Sequence, residues 1–422
     1  MSVNDDLLDL RRELHRHPEP AWREFYTTAR LVDVLETRAL DELYVGPEVL
    51  AEERRGVPDD AELDEWARRA IDAGAREDVV DRLAGGYTGL VAVRRMGEGP
   101  TVGLRVDIDG LPITEAETDH EPASAGFRSE NEGFMHACGH DAHATVGVGV
   151  VDAIAESDFS GTLKVFFQPS EETVSGGEPM AEGGHLDDVD YLLALHVGLD
   201  HPTGEVVAGV DGFLAVKHFR AEFSGASAHA GGHPERGRNA VQAMATAIGN
   251  LYSIPRHDEG ATRVNAGLVG GGTASNIVPE EAFIEGEVRG DTTELMEYMD
   301  DHAQRVLRSA AEMHDCEVDV EYQGRAPSGE SDDELADVVA SVAEGTAGVD
   351  SVLDSDDLGG SEDATYLMRH VQQRGGLASF VCVGTDHPGG HHTPTFDVDE
   401  ETIRIAIDVF TGTIERLGRK AV

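Results

Sequence analysis

The sequence predicts an α/β protein: a discontinuous α/β/α domain interrupted by a smaller, ferredoxin-like α+β domain. Three observations carry this reading. The apolar runs Val102–Val106, Leu163–Phe167 and Tyr191–Leu195 lack alternation, as strands covered on both faces do, and they are separated by helical stretches. From Val216 the order becomes strand, helix, two strands, helix, strand, the split βαββαβ arrangement. After Pro327 the helix–strand alternation resumes.

Taken in order, residues 4–41 read as helical with a break at His17–Pro20. Residues 46–86 are charged and rich in Ala and Arg, and Leu63, Trp66, Ala70 and Ile71 recur at helical spacing. Val102–Val106 is a strand ending at Asp107 and Asp109, Ala142–Ala155 is a small-residue helix, Leu163–Phe167 is stopped by Pro169, and Tyr191–Leu195 runs into His196. The inserted domain consists of strand Val216–Phe223, helix Asn239–Leu251, strands Ala261–Val269 and Ala282–Val288, helix Thr292–Met313 and strand Cys316–Tyr322. Strand Ala378–Val383 and a helix near Glu401–Arg416 close the chain. The expected boundaries are residues 1–214 and 326–422 for the discontinuous domain, with a helical insertion near 46–86, and 215–325 for the inserted one.

Composition narrows the function. A chain of 422 residues, 40% of them apolar, has material for more than one core. With 82 Asp and Glu against 33 Lys and Arg, its net charge of −49 repels nucleic acid and anionic membranes, so neither is expected as a partner. No stretch approaches the roughly 20 apolar residues of a membrane span, and no basic start precedes an apolar run, so neither a span nor secretion is expected. Cys138, Cys316 and Cys382 are far apart and odd in number, which argues against a disulfide framework and for the reducing cytoplasm.

Four segments hold residues able to do chemistry. In His136-Ala137-Cys138-Gly139-His140-Asp141-Ala142-His143, a thiol and an imidazole flank a glycine, so both can turn toward one point. Cys thiolate and imidazole are good ligands for borderline cations such as Zn²⁺. Glu171 and Glu172 follow the run ending in Phe166-Phe167-Gln168-Pro169-Ser170, at the end of a strand where α/β sheets gather their ligands. Adjacent side chains point apart, so one carboxylate can bind metal while the other reaches an activated water. His196 ends another apolar run, and His392 lies in Gly389-Gly390-His391-His392-Thr393-Pro394 after the final strand. Each segment alone has a bland structural reading. Together they bring thiol, imidazole and carboxylate to one sheet rim. Two nearby divalent cations need one shared ligand and about two more each. Cys138, His140, Glu172, His196 and His392 make up that number and leave Glu171 for the role of base. In the inserted domain, His229 follows a strand among small residues. Asn276 follows the Gly270-Gly271-Gly272 run, and Arg289 ends a strand. An amide and a guanidinium fork suit a carboxylate.

These segments, with Arg105-Val106-Asp107-Ile108-Asp109-Gly110-Leu111 and Ser227-Ala228-His229-Ala230, resemble in order the motifs of metallopeptidase family 20, which includes aminoacylases, hippurate hydrolases and indole-acetyl-amino-acid hydrolases. The resemblance implies a catalytic α/β/α domain with an inserted lid and dimerisation domain. It also implies two divalent ions, Zn²⁺ or Mn²⁺. Cys138 would bridge them, with Glu172 and His392 on one ion and His140 and His196 on the other. Glu171 would be the general base, and His229 would reach across a dimer interface to the oxyanion. Asn276 and Arg289 would hold the substrate carboxylate, and Asp107 would orient a ligand. The implied activity is hydrolysis of an N-acyl amino acid of the p-aminobenzoyl-glutamate kind. A broad N-acyl-amino-acid deacylase or carboxypeptidase is the alternative, and a catalytically silent subunit the reading from another class. The sequence is compatible with a homodimer and with a heteromer containing a related subunit.

The acidic surface also suggests adaptation to concentrated salt. Self-repulsion at −49 destabilises the compact state in dilute buffer, and a Debye length of ~3 Å at 1 M screens it. Thermal melts are expected to shift upward from dilute buffer to molar KCl; equal midpoints would dispose of the salt reading.

Overall fold

The computed structural model describes residues 5–387 and 389–420. The chain divides into two compact units: residues 1–211, 329–358 and 363–422 form the first, and Gly212–Ser328 with Gly359–Glu362 the second. The four-residue return at 359–362 is tied to the second unit by Leu214 N–H donating to the Gly360 carbonyl at 2.7 Å and by Arg289 donating to Ser361 Oγ at 3.2 Å.

An eight-stranded sheet forms the centre of the first unit. From edge to edge its strands are Glu42–Val45, Leu90–Arg95, Thr162–Gln168, Thr101–Asp107, Tyr191–Val197, Leu377–Val383, Glu205–Asp211 and Ser351–Asp357. The four middle strands, from Thr162–Gln168 to Leu377–Val383, are mutually parallel. The pairs on either side of that group are antiparallel, so the sheet is mixed rather than simply parallel. Leu104, Val165, Leu193 and Val381 point to one face and join the core formed with helices Asp5–Arg16, His140–Ala155 and Glu400–Lys420. The opposite face packs against helix Ala364–Gln373, whose Leu367, Met368 and Val371 are buried. With both faces covered, the middle strands are apolar throughout, which is why their sequences do not alternate.

One edge strand carries little apolar signal. The last five residues of Ser351–Asp357 are all exposed, and its acidic side chains face solvent. Charge on an exposed edge discourages pairing with other chains. Expected helix Ala142–Ala155 begins earlier, at His140, because Gly139 adopts φ 84 as its N-cap. A Cβ there would lie 2.7 Å from Val197 Cγ2, so the position demands glycine twice over.

The second unit has strands Ala215–Ser224, Thr262–Gly271, Glu281–Gly290 and Glu317–Ala326, antiparallel in the spatial order fourth, first, third, second. Helices Ala240–Leu251 and Thr293–Met313 pack together on one face, burying Phe219, Ile284, Met299 and Leu307. This is the ferredoxin-like arrangement. Among the described residues, no helix is long and apolar enough to cross a membrane.

The first helix is fastened to the start of His140–Ala155 by buried charge. Arg11 Nε lies 2.9 Å from Asp141. His15 Nδ1 meets the same carboxylate at 2.8 Å while its Nε2 meets Glu115 at 2.9 Å. Both ring nitrogens face acceptors, so both carry protons. Burial opposes that charge, yet Asp141 and Glu115 push the imidazole up to about 9. A raised folded-state value stabilises fully below the unfolded value near 6.5 and is lost as pH climbs through about 9. Wild-type protein should therefore lose thermal stability across that window, and His15→Gln should lose less; parallel losses in the two proteins would refute the tether.

Candidate metal centre

The C-terminal ends of the four parallel strands set the site. Register places Asp107 opposite Gln168 and His196 opposite Cys382, in one row near the strand ends. The chain leaving Asp107 supplies Asp109, the chain leaving Gln168 supplies Glu171 and Glu172, and the loop after Val383 supplies His391 and His392. Cys138 and His140 arrive at the start of helix His140–Ala155.

Cys138 is the shared member of two constellations. The ligand atoms of Cys138, His140 and His196 lie within 4.8 Å of one another, and so do those of Cys138, Glu172 and His392. His140, Glu171 and Glu172 form a third such group. The sequence-predicted set of Cys138, His140, Glu171, Glu172, His196 and His392 is therefore brought together in the first unit.

Hydrogen bonds settle which ring nitrogens face the centre. His196 Nδ1 donates to the Val197 carbonyl at 2.8 Å, which leaves the Nε2 lone pair 3.5 Å from Cys138 Sγ. Burial holds His196 well below the ordinary imidazole range, so it is a neutral donor to a cation. His140 Nε2 has no hydrogen-bond partner although it is buried. It faces Asp107 at 3.5 Å, Glu172 at 3.8 Å and Glu171 at 4.0 Å. Burial opposes charge on His140, but Asp107, Asp109 and Glu172 push it up to about 10. Four carboxylates around one buried ring leave a local excess of negative charge. A buried nitrogen with no hydrogen bond, a lone pair aimed at a thiol and an acid surplus together fit divalent cations, and the thiol–imidazole–carboxylate donor set suits borderline metals.

His392 takes a left-handed φ of 58 and places Nε2 3.5 Å from Glu172 Oε2. Its neighbour His391 turns elsewhere, with its ring 4.7 Å from that of Phe396 and Nε2 3.2 Å from the Val197 carbonyl.

Around these groups lies a shell of fixed partners. Asp107 accepts from Arg105 at 2.7 Å and from His143 Nδ1 at 2.5 Å, while Val197 N–H donates to His143 Nε2 at 2.9 Å. Burial works against its charge, but His140, Arg105 and His143 hold Asp107 well below the usual carboxylate range. Asp109, given no role from the sequence, accepts the backbone N–H groups of Glu171 at 3.1 Å and Glu172 at 3.0 Å and lies 3.3 Å from His140 Nδ1. The signal for it was present in the Asp107-Ile108-Asp109 spacing, which sends two buried carboxylates out of one strand end.

The remaining predicted residues belong to the second unit. His229 is exposed, and the amides of Gly231 and Gly232 donate to its Nδ1 at 3.1 and 3.0 Å, so its proton sits on Nε2. Ile277 pairs with His229, which places Asn276 beside it. Arg289 lies apart. Register sets Arg289 opposite Val216, whereas Ser224, from which the His229 loop leaves, is opposite Glu281. Eight residues of strand separate those positions, about 27 Å. The Arg289 fork grips Glu287 at 3.0 and 2.8 Å, leaving Nη1 toward Ser361. Hydrogen bonding from His218, burial notwithstanding, and the Arg289 fork lower Glu287 to about 2.

The chain is similar to known proteins over nearly its whole length. The sequence profile of peptidase family M20/M25/M40 matches residues 103–416. The indole-3-acetyl-aspartic acid hydrolase of Enterobacter agglomerans is 39% identical over 97% of this chain and 95% of its own length. One of the subunits of the p-aminobenzoyl-glutamate hydrolase of Escherichia coli K12 is 39% identical over 98% and 96%. The crystal structure of an aminobenzoyl-glutamate utilization protein from Klebsiella pneumoniae superposes with a TM-score of 0.84 at 34% identity, covering 97% of this chain and 95% of that one.

Asp109→Ala leaves every candidate ligand in place but frees the amides of the candidate base Glu171 and the candidate ligand Glu172. Its affinity for added Zn²⁺, measured by competition with a chelating dye, should fall by about 10–100-fold; wild-type affinity would contradict the orienting role.

Proposed function

This chain belongs to peptidase family M20/M25/M40, and on that premise we propose that it hydrolyses the amide of an N-acyl amino acid in which an aromatic acyl group is joined to an acidic amino acid. The two relatives at 39% identity are named for substrates of that chemistry, p-aminobenzoyl-glutamate and indole-3-acetyl-aspartate. The carrying observation is the Cys138 thiol, common to the His140–His196 and Glu172–His392 constellations, with Glu171 beside them.

Cys138, His140 and His196 would hold one divalent cation and Cys138, Glu172 and His392 a second, Zn²⁺ or Mn²⁺, which would supply Lewis acidity and water activation. The protein's own groups do the rest. Glu171 takes the proton of the attacking water and returns it to the leaving nitrogen. Asp107 and Asp109 keep the ligands aimed. The outward Nε2–H of His229 donates to the carbonyl oxygen as negative charge develops there. Asn276 and Arg289 hold the substrate carboxylate. Because Arg289 lies at one end of the four-stranded sheet and His229 is on a ribbon beyond its other end, a single copy does not bring both to one small substrate. A second chain, either identical or homologous, supplies His229 together with Asn276. The buried thiols of Cys138, Cys316 and Cys382 form no disulfide, which suits the reducing cytoplasm in this reading.

Glu171→Gln should lower kcat by about 10²–10⁴-fold while the bound-metal stoichiometry stays that of wild type. A panel in molar KCl of p-aminobenzoyl-glutamate, indole-acetyl-aspartate, hippurate and acetyl-amino acids tests the substrate class. The acidic aroyl and indole-acetyl conjugates should have the highest kcat/KM. Even values across the panel would favour a broad deacylase, and a metal-loaded protein without activity would point to a catalytically silent chain.

A further inference from the structure

Three consecutive backbone amides lead into the metal centre, and two buried carboxylates receive all three. Ser170 N–H donates to Glu24 Oε1 at 2.7 Å, and the next two amides, of Glu171 and Glu172, donate to the two oxygens of Asp109. Ser170 holds a left-handed φ of 57, a conformation that persists in a non-glycine residue only where its surroundings over-determine it. Those surroundings can be named. The Ser170 hydroxyl meets Thr173 at 3.0 Å and Ser175 at 2.7 Å, and the amides of Ser175 and Gly176 return to the Ser170 carbonyl at 3.1 Å. Gly176 permits the close return, since a Cβ there would lie 1.7 Å from the Pro169 carbonyl.

Glu24 closes the turn from a remote part of the chain. It is wholly buried at the N-cap of helix Phe25–Glu36, and its second oxygen accepts from Thr88 Oγ1 at 2.6 Å. Burial and the neighbouring charge of Asp109 push its carboxyl upward, to about 8. Both of its oxygens are engaged in a dry place, where an apolar residue would strand the Ser170 amide and the Thr88 hydroxyl.

We propose that Glu24 is a positioning residue of the reaction. It holds the peptide plane that enters Ser170, while Asp109 holds the two planes on either side of Glu171; together they fix the turn at Ser170 and so the direction in which Glu171 and Glu172 leave the backbone. One carboxylate is thereby presented as base and its neighbour as ligand. This rests on the roles proposed above for Glu171 and Glu172.

The test is steady-state kinetics of metal-loaded, full-length Glu24→Ala, Glu24→Gln and Glu171→Gln on the best substrate of the panel. Glu24→Ala should lower kcat by about 10–100-fold at unchanged KM. Glu24→Gln should recover most of that loss, because its amide oxygen still accepts from Ser170 and its NH₂ can donate to the Thr88 hydroxyl. Wild-type kcat in Glu24→Ala, or equal losses in the Ala and Gln variants, would overturn the proposal. Should Glu24→Ala not fold, Glu24→Asp, which withdraws the carboxyl by one methylene, carries the same test: reduced kcat at unchanged KM supports it and wild-type kcat overturns it. If Glu171→Gln turned over normally, the base assignment would fall and this inference with it. With Glu171→Gln silent and Glu24→Ala fully active, this inference alone would fall.

Discussion

Buried negative charge is the constraint on which the first unit is organised. Asp107, Asp109 and Glu171 are all at most 5% exposed, and they converge with Glu172 on the single ring of His140. Buried carboxylates are costly unless paired or bound to cations. Arg105 and the imidazoles meet part of that demand at Asp107, and His140 is driven toward its charged form by what is left. A divalent cation answers the same demand at the point where thiol, imidazole and carboxylate atoms approach one another. The surrounding hydrogen bonds make sense in that light. His196 directs its Nδ1 proton to a carbonyl, His143 is wedged between Asp107 and the Val197 amide, and Asp109 commits both oxygens to the backbone of the two glutamates.

The second unit works under a different constraint, the length of its own strands. His229 and Asn276 sit at a separate two-stranded ribbon reached from the Ser224 end of the four-stranded sheet, and Arg289 stands at the other end of that sheet. In the function proposed above, that spacing is what calls for a second chain. Arg289 is also compensated within the unit by Glu287, which leaves a partly neutralised fork rather than a bare cation.

Much of this was legible in the sequence because the middle strands are buried on both faces and so spell continuous apolar runs that stop at the residues with chemistry. The βαββαβ order of the inserted unit was legible through alternation at Val216–Phe223 and the long helix after Thr292. Other parts left no such trace. Ser351–Asp357 is an acidic edge strand, and its sequence looks like a loop. Glu205–Asp211 joins the sheet beyond the parallel group, where its short apolar stretch has no neighbouring motif to mark it. His391 and His392 are adjacent and chemically identical; only the left-handed turn at His392 decides which one meets Glu172. Glu24 could not be found from its neighbours at all, since its partner Ser170 is 146 residues away and the contact is made to backbone.

In the proposed site the Cys138 thiolate binds cations in company with the histidines and Glu172. X-ray absorption at the zinc edge of the Zn²⁺-loaded protein tests it most directly. Wild-type protein should show a sulfur scatterer at about 2.3 Å that disappears in Cys138→Ser. A zinc environment of nitrogen and oxygen alone in the wild type, unchanged by that substitution, would contradict it.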